Sequence, residues 1–186
     1  MHYDMQSIAT FTFKVREIRK GGIVIKRILC LCVANISRSP MLEGLLKEAI
    51  LREIVERTRI GRNYSYLQEV TIESAGTYMG VSPNFQGNPA DSSSVACMKE
   101  LRIHIEDHKS RPISMVDLNK FQLIVCMSDD EIRFISGLTP RFDGAIMLAN
   151  AANGGIPDPH GKDLQTYREC AKTLQTVADY IVNVFL

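Results

Sequence analysis

The 186-residue chain carries 22 Lys and Arg residues against 21 Asp and Glu residues, so its formal net charge is +1. This length suits one well-buried domain, and the balanced charge argues against a nucleic-acid partner, which usually needs a strongly basic face. The chain shows no run of about eighteen apolar residues for a membrane span and no secretory signal. Its five scattered cysteines are typical of reduced thiols, so we expect a cytoplasmic protein.

The N-terminal segment differs from the rest of the chain. Residues 1–22 end in a Gly-Gly pair just before the first apolar run, and we expect them to form a flexible extension. Phe11, Phe13 and Val15 alternate weakly, so an extra edge strand is the alternative. Residues 23–186 are predicted to form the single functional domain.

Strand-like and helix-like segments alternate along this domain. In chain order the pattern predicts a strand at Ile23–Val33, a helix from the capping pair Ser39-Pro40, a strand at Val70–Ser74, a helix at Asp91–Leu101, a strand at Gln122–Met127, a short helix through Arg133, a strand at Gly144–Asn150 and a long amphipathic helix at Leu164–Phe185. Such alternation predicts an α/β fold with parallel strands joined by right-handed crossovers.

The loop after the first strand has the sequence CVANISRSP, residues 32–40. Because ligands bind at the carboxyl ends of strands in open α/β sheets, this loop should face the ligand crevice and lead into a helix N-terminus. The free amides there suit an anion and favour the thiolate of Cys32. Arg38 can hold two phosphate oxygens, and Asn35 tolerates the left-handed backbone of a tight loop. The loop is therefore predicted to cradle a phosphate above a nucleophile.

The spacing of Cys32 and Arg38 is a weak signal by itself, although none of the other four cysteines has an arginine six residues later. The alternative is a structural cysteine that ends a strand, followed by a solvated arginine. The preceding strand, the Ser-Pro pair, the following helix and Asn35 all favour the phosphate-binding interpretation.

The segment CVANISRSPM, residues 32–41, resembles the active-site loop of the low-molecular-weight protein-tyrosine phosphatases, whose pattern is C-x-G-N-x-C-R-S-P. Four more segments match in the family's order: ESAGT at 73–77, HKSR at 108–111, LIVCM at 123–127 and IPDPHG at 156–161. The resemblance runs from about Ile25 to the C-terminus. It implies a doubly wound sheet of four parallel strands with helices on both faces, a phosphorylated protein as substrate, and neither metal nor cofactor.

The resemblance also implies catalytic roles. Cys32 would attack phosphorus and become phosphocysteine, and Arg38 would stabilise the charge on the phosphate oxygens. Asp158 would protonate the leaving oxygen and then activate water, while Ser39 would donate its hydroxyl to the thiolate. The rest of the phosphate-binding loop would be Val33, Ala34, Asn35, Ile36 and Ser37.

Two further residues are expected to support the loop. Ser74 matches a family position where the hydroxyl holds the Asn35 side chain and hence the loop shape. His108 falls in the HKSR segment and is interpreted as a structural hydrogen-bonding histidine. His104 lies four residues earlier, but no third ligand is evident, so we expect no metal site.

The loop departs from the family pattern at two positions. Ala34 stands where glycine is most common, so its backbone should avoid positive φ or tolerate modest strain. Ser37 replaces a second cysteine that can form a protective disulfide with the nucleophile, so Cys32 is predicted to be more vulnerable to over-oxidation. Cys30, two residues before Cys32 on the strand, is too constrained to take over that function.

Substrate choice depends on the pocket rim. His160 follows the Asp-Pro pair where many members carry tyrosines, and the DPHG form is closer to bacterial relatives that include protein-arginine phosphatases. Ile36 occupies the position of a threonine in those arginine phosphatases, and its apolar side chain favours an aryl ring. We therefore predict phosphotyrosine, with phosphoarginine as the alternative. Tyr78 and Met79 are placed in the other pocket wall by position alone.

Two other functions are less well supported. Arsenate reduction on the same fold would need a closely spaced downstream cysteine pair, which Cys97 and Cys126 do not form. A non-catalytic phosphate-binding module is disfavoured because Cys32, Arg38 and Asp158 are all present. The sequence does not indicate an oligomeric state.

Overall fold

The computed structural model of the protein describes residues 24–78 and 86–186. Four parallel strands form one sheet in the order β2-β1-β3-β4. They are β1 (Arg27–Cys32), β2 (Thr71–Gly76), β3 (Leu123–Cys126) and β4 (Ala145–Leu148). The predicted four-stranded parallel sheet is confirmed.

Helices cover both faces of this sheet, as predicted. The α-helices are α1 (Arg38–Arg59), α2 (Ser92–Glu100), α3 (Asp129–Leu138) and α4 (Leu164–Phe185). Short 3₁₀ helices occupy Ser65–Glu69, Ile113–Met115, Leu118–Lys120 and Ala151–Asn153. None of the helices in these two described ranges is long and apolar enough to cross a membrane.

Strand β1 lies at the centre of the fold, and its alternating side chains divide the core. Ile28, Cys30 and Cys32 face a cluster built from α1, α2 and α4. Leu29 and Leu31 face the opposite side, where Ile135 of α3 packs. Because β1 is buried on both faces, its register is strongly specified, and this holds Cys32 at the carboxyl edge of the sheet.

The start of α1 differs from the prediction. The helix begins at Arg38, with Ser37 at the N-cap position, where it makes no side-chain capping hydrogen bond. Pro40 lies in the first turn, where its missing N–H group leaves no hydrogen bond unmade. Ser39 does not cap the helix because its hydroxyl contacts Cys32 and Asn35 instead.

Other helices and strands differ from the prediction only in where they begin or end, because tertiary contacts determine these end residues. Helix α3 continues to Leu138, beyond the predicted Arg133, and β2 continues to Gly76 rather than ending at Ser74. Strands β1, β3 and β4 occupy the central parts of their predicted runs. The predictions for residues 1–22 and for Met79 lie outside the described residues.

Candidate active site

The loop between β1 and α1 lies at the carboxyl edge of the sheet. Asn35 has φ 56°, in the left-handed region that its residue type tolerates. Ala34 is not among the described non-glycine residues with positive φ, so alanine fits this position as expected. Cys32 is almost fully buried, with 3% of its surface exposed. Its Sγ accepts the Asn35 N–H at 3.3 Å and lies 3.0 Å from the Ser39 Oγ.

The direction of the hydrogen bonds behind Cys32 follows from a buried chain of polar groups. The Ser74 hydroxyl donates to Glu43 Oε2 at 2.6 Å, because a carboxylate can only accept. The Asn35 amide Nδ2 donates to Ser74 Oγ at 3.0 Å and to Ser39 Oγ at 2.8 Å. The Ser39 hydrogen is therefore left to donate to the Cys32 sulfur.

A second set of contacts holds the other side of Asn35. Its Oδ1 accepts the Arg111 N–H at 3.0 Å, and its backbone oxygen lies 2.7 Å from His108 Nε2. Since a carbonyl oxygen only accepts, Nε2 of His108 carries the hydrogen, and burial lowers the pKa of this ring. Arg111 also donates to Ser74 O at 3.0 Å and to Glu73 Oε2 at 2.6 Å. The HKSR segment thus holds the loop in place through the hydrogen bonds of His108 and Arg111 with Asn35.

Arg38 joins the loop to the distant Asp-Pro segment. Its Nη2 donates to Asp158 Oδ2 at 2.7 Å and its Nη1 to Ile156 O at 3.0 Å. The Arg38 side chain is 7% exposed, whereas that of Asp158 is 51% exposed. A nearly buried guanidinium and a carboxyl group open to solvent therefore meet at the end of the sheet that carries the β1–α1 loop.

The remaining cysteines lie in a different environment. Burial raises the pKa of all four: Cys30, Cys97, Cys126 and Cys170. For Cys170 on α4 the value rises to about 12, with the charges of Arg38 and Asp158 acting on it as well. These thiols stay protonated near neutral pH, so they are poor nucleophiles.

Tyr78 borders the loop but opens onto a neighbouring cleft. It has φ 55°, and its N–H donates to Val33 O at 2.9 Å. A Cβ atom at Gly76 would lie 2.6 Å from both the Tyr78 ring and Val33 O, so this close approach requires glycine. The tyrosine lines a cleft of about 460 Å³ on the α3 side of the sheet, together with Phe134 and Leu138.

Besides His108, the two other histidines named in the sequence analysis make separate contacts. The N–H of His160 donates to Asp158 Oδ1 at 3.1 Å, and its ring Nδ1 lies 3.6 Å from the Asp91 carboxylate that caps α2. His104 is exposed, with Nδ1 3.3 Å from Glu106 Oε1. No group of three metal-ligating side chains occurs within residues 24–78 and 86–186.

Two acidic residues near the site were missed by sequence reasoning. Glu43 accepts from Ser74 and pairs with Lys47 at 2.5 Å, but only long-range contacts reveal its link to the loop. Glu131 is fully buried, and its Oε2 accepts the N–H groups of Met127 and Ser128. The Ser-x-x-Glu pattern at 128–131 is a readable helix-start signature that could have identified Glu131.

Comparisons with known proteins agree on one family. A family model described as low molecular weight phosphotyrosine protein phosphatase matches residues 27–183. The low molecular weight protein-tyrosine-phosphatase Ptp of Acinetobacter johnsonii is 30% identical, over 86% of this chain and 98% of its own. The tyrosine phosphatase amsI of Erwinia amylovora has a TM-score of 0.67 at 25% identity, covering 87% of this chain and 94% of its own.

One further solved structure shows the same fold at lower identity. YwlE of Bacillus subtilis has a TM-score of 0.66 at 23% identity, covering 84% of this chain and 96% of its own. YwlE is described as an arginine phosphatase.

Proposed function

The chain belongs to the low molecular weight phosphotyrosine protein phosphatase family, and we propose that it hydrolyses phosphotyrosine in proteins, or a similar aryl phosphate, through a phosphocysteine intermediate. The observation that carries the proposal is the meeting of Arg38 and Asp158 at 2.7 Å beside the loop that holds Cys32. These three side chains supply an anion-binding group, a proton donor and a nucleophile.

In the first step the Cys32 thiolate attacks phosphorus, so that a sulfur–phosphorus bond forms as the phosphorus–oxygen ester bond breaks. Asp158 delivers its proton to the leaving oxygen. Arg38 and the loop amides stabilise the charge that spreads over the phosphate oxygens. The 7% exposure of the Arg38 side chain supports this role, because a nearly buried guanidinium needs little rearrangement to bind an anion.

In the second step water replaces sulfur on phosphorus. The Asp158 carboxylate takes a proton from the water, the new phosphorus–oxygen bond forms, and the sulfur leaves as a thiolate. The Ser39 hydroxyl, 3.0 Å from Sγ, stabilises that thiolate. Asn35 and Ser74 keep Ser39 in the donating orientation.

The loop residue Ile36 favours an aryl substrate over phosphoarginine. Its half-buried side chain adds an apolar surface to the loop, and it offers no hydroxyl to orient a water beside a guanidinium. A phosphorylated protein is the substrate class that this function requires. Phosphoarginine is the alternative, with YwlE as the similar structure of that class.

The test compares wild type, Cys32→Ser and Cys170→Ala in a metal-chelating buffer. The three substrates are p-nitrophenyl phosphate, a phosphotyrosyl peptide and a phosphoarginyl peptide. We expect Cys32→Ser to abolish turnover and Cys170→Ala, which removes another buried thiol, to retain it. Turnover that survives Cys32→Ser rules out the mechanism, and faster turnover of the phosphoarginyl peptide by wild type rules out the substrate assignment.

A further inference from the structure

Glu131 in the first turn of α3 is a buried acid that the mechanism above does not use. It has no exposed surface, and its Oε2 accepts the N–H groups of Met127 at 2.6 Å and Ser128 at 2.7 Å. Its Oε1 is buried and has no hydrogen-bond partner among residues 24–78 and 86–186. A buried carboxyl oxygen without a partner is costly, so its presence needs an explanation.

Charges around Glu131 connect it with the active site. Burial raises its pKa, whereas the positive charge of Arg38, the amides of Ser128 and Met127 and the side-chain hydroxyl of Ser128 favour the carboxylate. The charge of Glu131 in turn contributes to the raised pKa of the Cys126 thiol on β3, after the larger effect of burial. Arg38 therefore acts on this buried acid through its charge alone, because no ion pair within 4.0 Å joins the two residues in the described ranges.

A continuous path of hydrogen bonds leads from Glu131 to the loop that carries Asp158. The N–H of Met127 is held by Glu131, and the oxygen of Met127 accepts the Ile156 N–H at 2.8 Å. The oxygen of Ile156 in turn accepts Arg38 Nη1 at 3.0 Å. Asp158 lies two residues beyond Ile156, so an anchored Met127 fixes where the Asp158 segment leaves the sheet.

Close packing strengthens this path at Gly155. Gly155 has φ 105°, and a Cβ atom there would lie 2.4 Å from the Met127 oxygen. The loop therefore lies directly against Met127, with no space for a side chain between them. Any shift of Met127 would move the loop with it.

We propose that Glu131 is a positioning residue, which anchors Met127 and thereby holds the Asp158 loop in place for proton transfer to the leaving group. The inference rests on the proposed function, since it assigns Glu131 a role through Asp158. A helix-capping role alone would affect stability and would leave proton transfer unchanged.

The test uses two aryl phosphates that differ in their need for an acid. Phenolate is a poor leaving group without a proton, whereas p-nitrophenolate leaves readily. Loss of the acid should therefore slow the hydrolysis of phenyl phosphate more than that of p-nitrophenyl phosphate. We measure kcat/KM, which reports the step that releases the aryl group, for wild type, Glu131→Met, Glu131→Gln and Asp158→Asn. Asp130→Asn is the control, because Asp130 lies in the same turn, is exposed and pairs with Arg133.

We expect Glu131→Met to lower kcat/KM for phenyl phosphate by roughly 10- to 100-fold and for p-nitrophenyl phosphate by less than about threefold. Glu131→Gln keeps an acceptor for both amides and should restore most of the phenyl phosphate activity. The double variant Glu131→Met with Asp158→Asn should have the same kcat/KM for phenyl phosphate as Asp158→Asn alone. Both substitutions act on the same step, the proton transfer to the leaving group. Asp130→Asn should match wild type for both substrates.

A pair of glycines gives an independent test if Glu131→Met does not fold. Gly155→Ala disturbs the same contact with Met127 and should slow phenyl phosphate selectively. Gly154→Ala is the matched control, because Gly154 also has positive φ, 72°, but has no neighbouring atom within 4 Å of an added Cβ. Equal slowing by both glycine variants counts against the proposal.

The outcomes separate the two hypotheses. If Asp158→Asn shows no selectivity between the substrates, the assigned role of Asp158 fails, and that of Glu131 fails with it. If Asp158→Asn is selective but Glu131→Met slows both substrates equally, or the double variant loses activity additively, only the Glu131 proposal is overturned.

Discussion

Asp158 Oδ2 lies 2.7 Å from Arg38 Nη2, although the two residues are 120 positions apart in the chain. The contact joins a nearly buried guanidinium to a half-exposed carboxyl group. After Asp158 has given its proton to the leaving oxygen, its exposed carboxylate can take a proton from the incoming water in the second step of the proposed reaction, while it stays close to the loop that holds Cys32. This relationship makes the separate contributions of acid, loop and nucleophile testable.

Asp158→Asn should lower kcat/KM for phenyl phosphate by ~10²–10⁴-fold, the usual contribution of a general acid. The asparagine amide keeps the size of the side chain but cannot deliver a proton to phenolate. Asp179→Asn is a suitable control, because Asp179 lies on α4 and pairs with Arg52 at the surface. Unchanged turnover of phenyl phosphate by Asp158→Asn would contradict the assignment.

Ser39→Ala should slow alkylation of Cys32 by iodoacetate at neutral pH by roughly tenfold or more, since a hydrogen bond to a charged group is worth about 1.5–3 kcal/mol. The hydroxyl can donate only to sulfur, because the Asn35 amide already donates to its oxygen. Ser94→Ala is the control: the Ser94 hydroxyl is buried and has no hydrogen-bond partner in the described chain. Equal alkylation rates in Ser39→Ala and wild type would refute this role of the hydroxyl.

Ser37→Cys should protect the enzyme from irreversible oxidation. In wild type, a sulfenic acid on Cys32 has no loop thiol to condense with and can oxidise further. Cys30 is a poor substitute because burial keeps its pKa well above the ordinary value. After treatment with peroxide and then a thiol, Ser37→Cys should recover a larger fraction of activity than wild type. Ser94→Cys introduces a buried cysteine on α2 instead and should give no protection; equal recovery in all three proteins would reject the prediction.

His108 should make the folded protein less stable in mild acid. Burial lowers the pKa of His108 from its ordinary value of 6.5, so the unfolded chain binds the proton more readily. Stability from this residue is therefore complete above pH 6.5 and is lost as pH falls toward the folded pKa, with a slope of at most about 1.4 kcal/mol per pH unit.

Denaturant unfolding at several pH values gives the free energy of unfolding of wild type and of His108→Gln. The difference between the two proteins isolates the contribution of His108, because the other titrating groups are the same in both. Between pH 7 and about pH 5, the free energy of unfolding should decrease less for His108→Gln than for wild type. His104→Gln is the control for loss of a histidine at an exposed position, because the His104 side chain is 75% exposed and its ring contacts Glu106. If His108→Gln has the same slope as wild type, burial of this histidine does not contribute to acid sensitivity.

The parts of the site that could be predicted are those carried by neighbouring residues. Cys32 and Arg38 lie on one loop between a buried strand and a helix, so their spacing places both at the sheet edge. The left-handed backbone of Asn35 follows from its residue type, and φ 56° agrees with it. Ser74 and Asp158 were identified only through the order of motifs in a family, since neither has a local signature of its own.

Other features needed the three-dimensional arrangement. The start of α1 was predicted two residues late, because Ser39 is engaged by sulfur and an amide rather than by the helix terminus, and Ser37 takes the N-cap position. The contact between the His160 ring and Asp91, at 3.6 Å, joins segments that are far apart in the chain, and the place of His160 in a substrate pocket stays a prediction. Glu43 belongs to the site because Ser74 on β2 donates a hydrogen bond to it, a contact between residues that are distant in the chain.

The sequence by itself determined the parallel α/β sheet and the position of the loop between β1 and α1, because hydrophobic periodicity and short-range backbone preferences act between residues that are close along the chain. Only the tertiary structure decided which way the Ser39 hydroxyl donates, which acids lie behind the loop and how Asp158 reaches Arg38. Those features depend on hydrogen bonds and burial between distant segments, whose strength is set by distances of a few ångströms that no local pattern encodes.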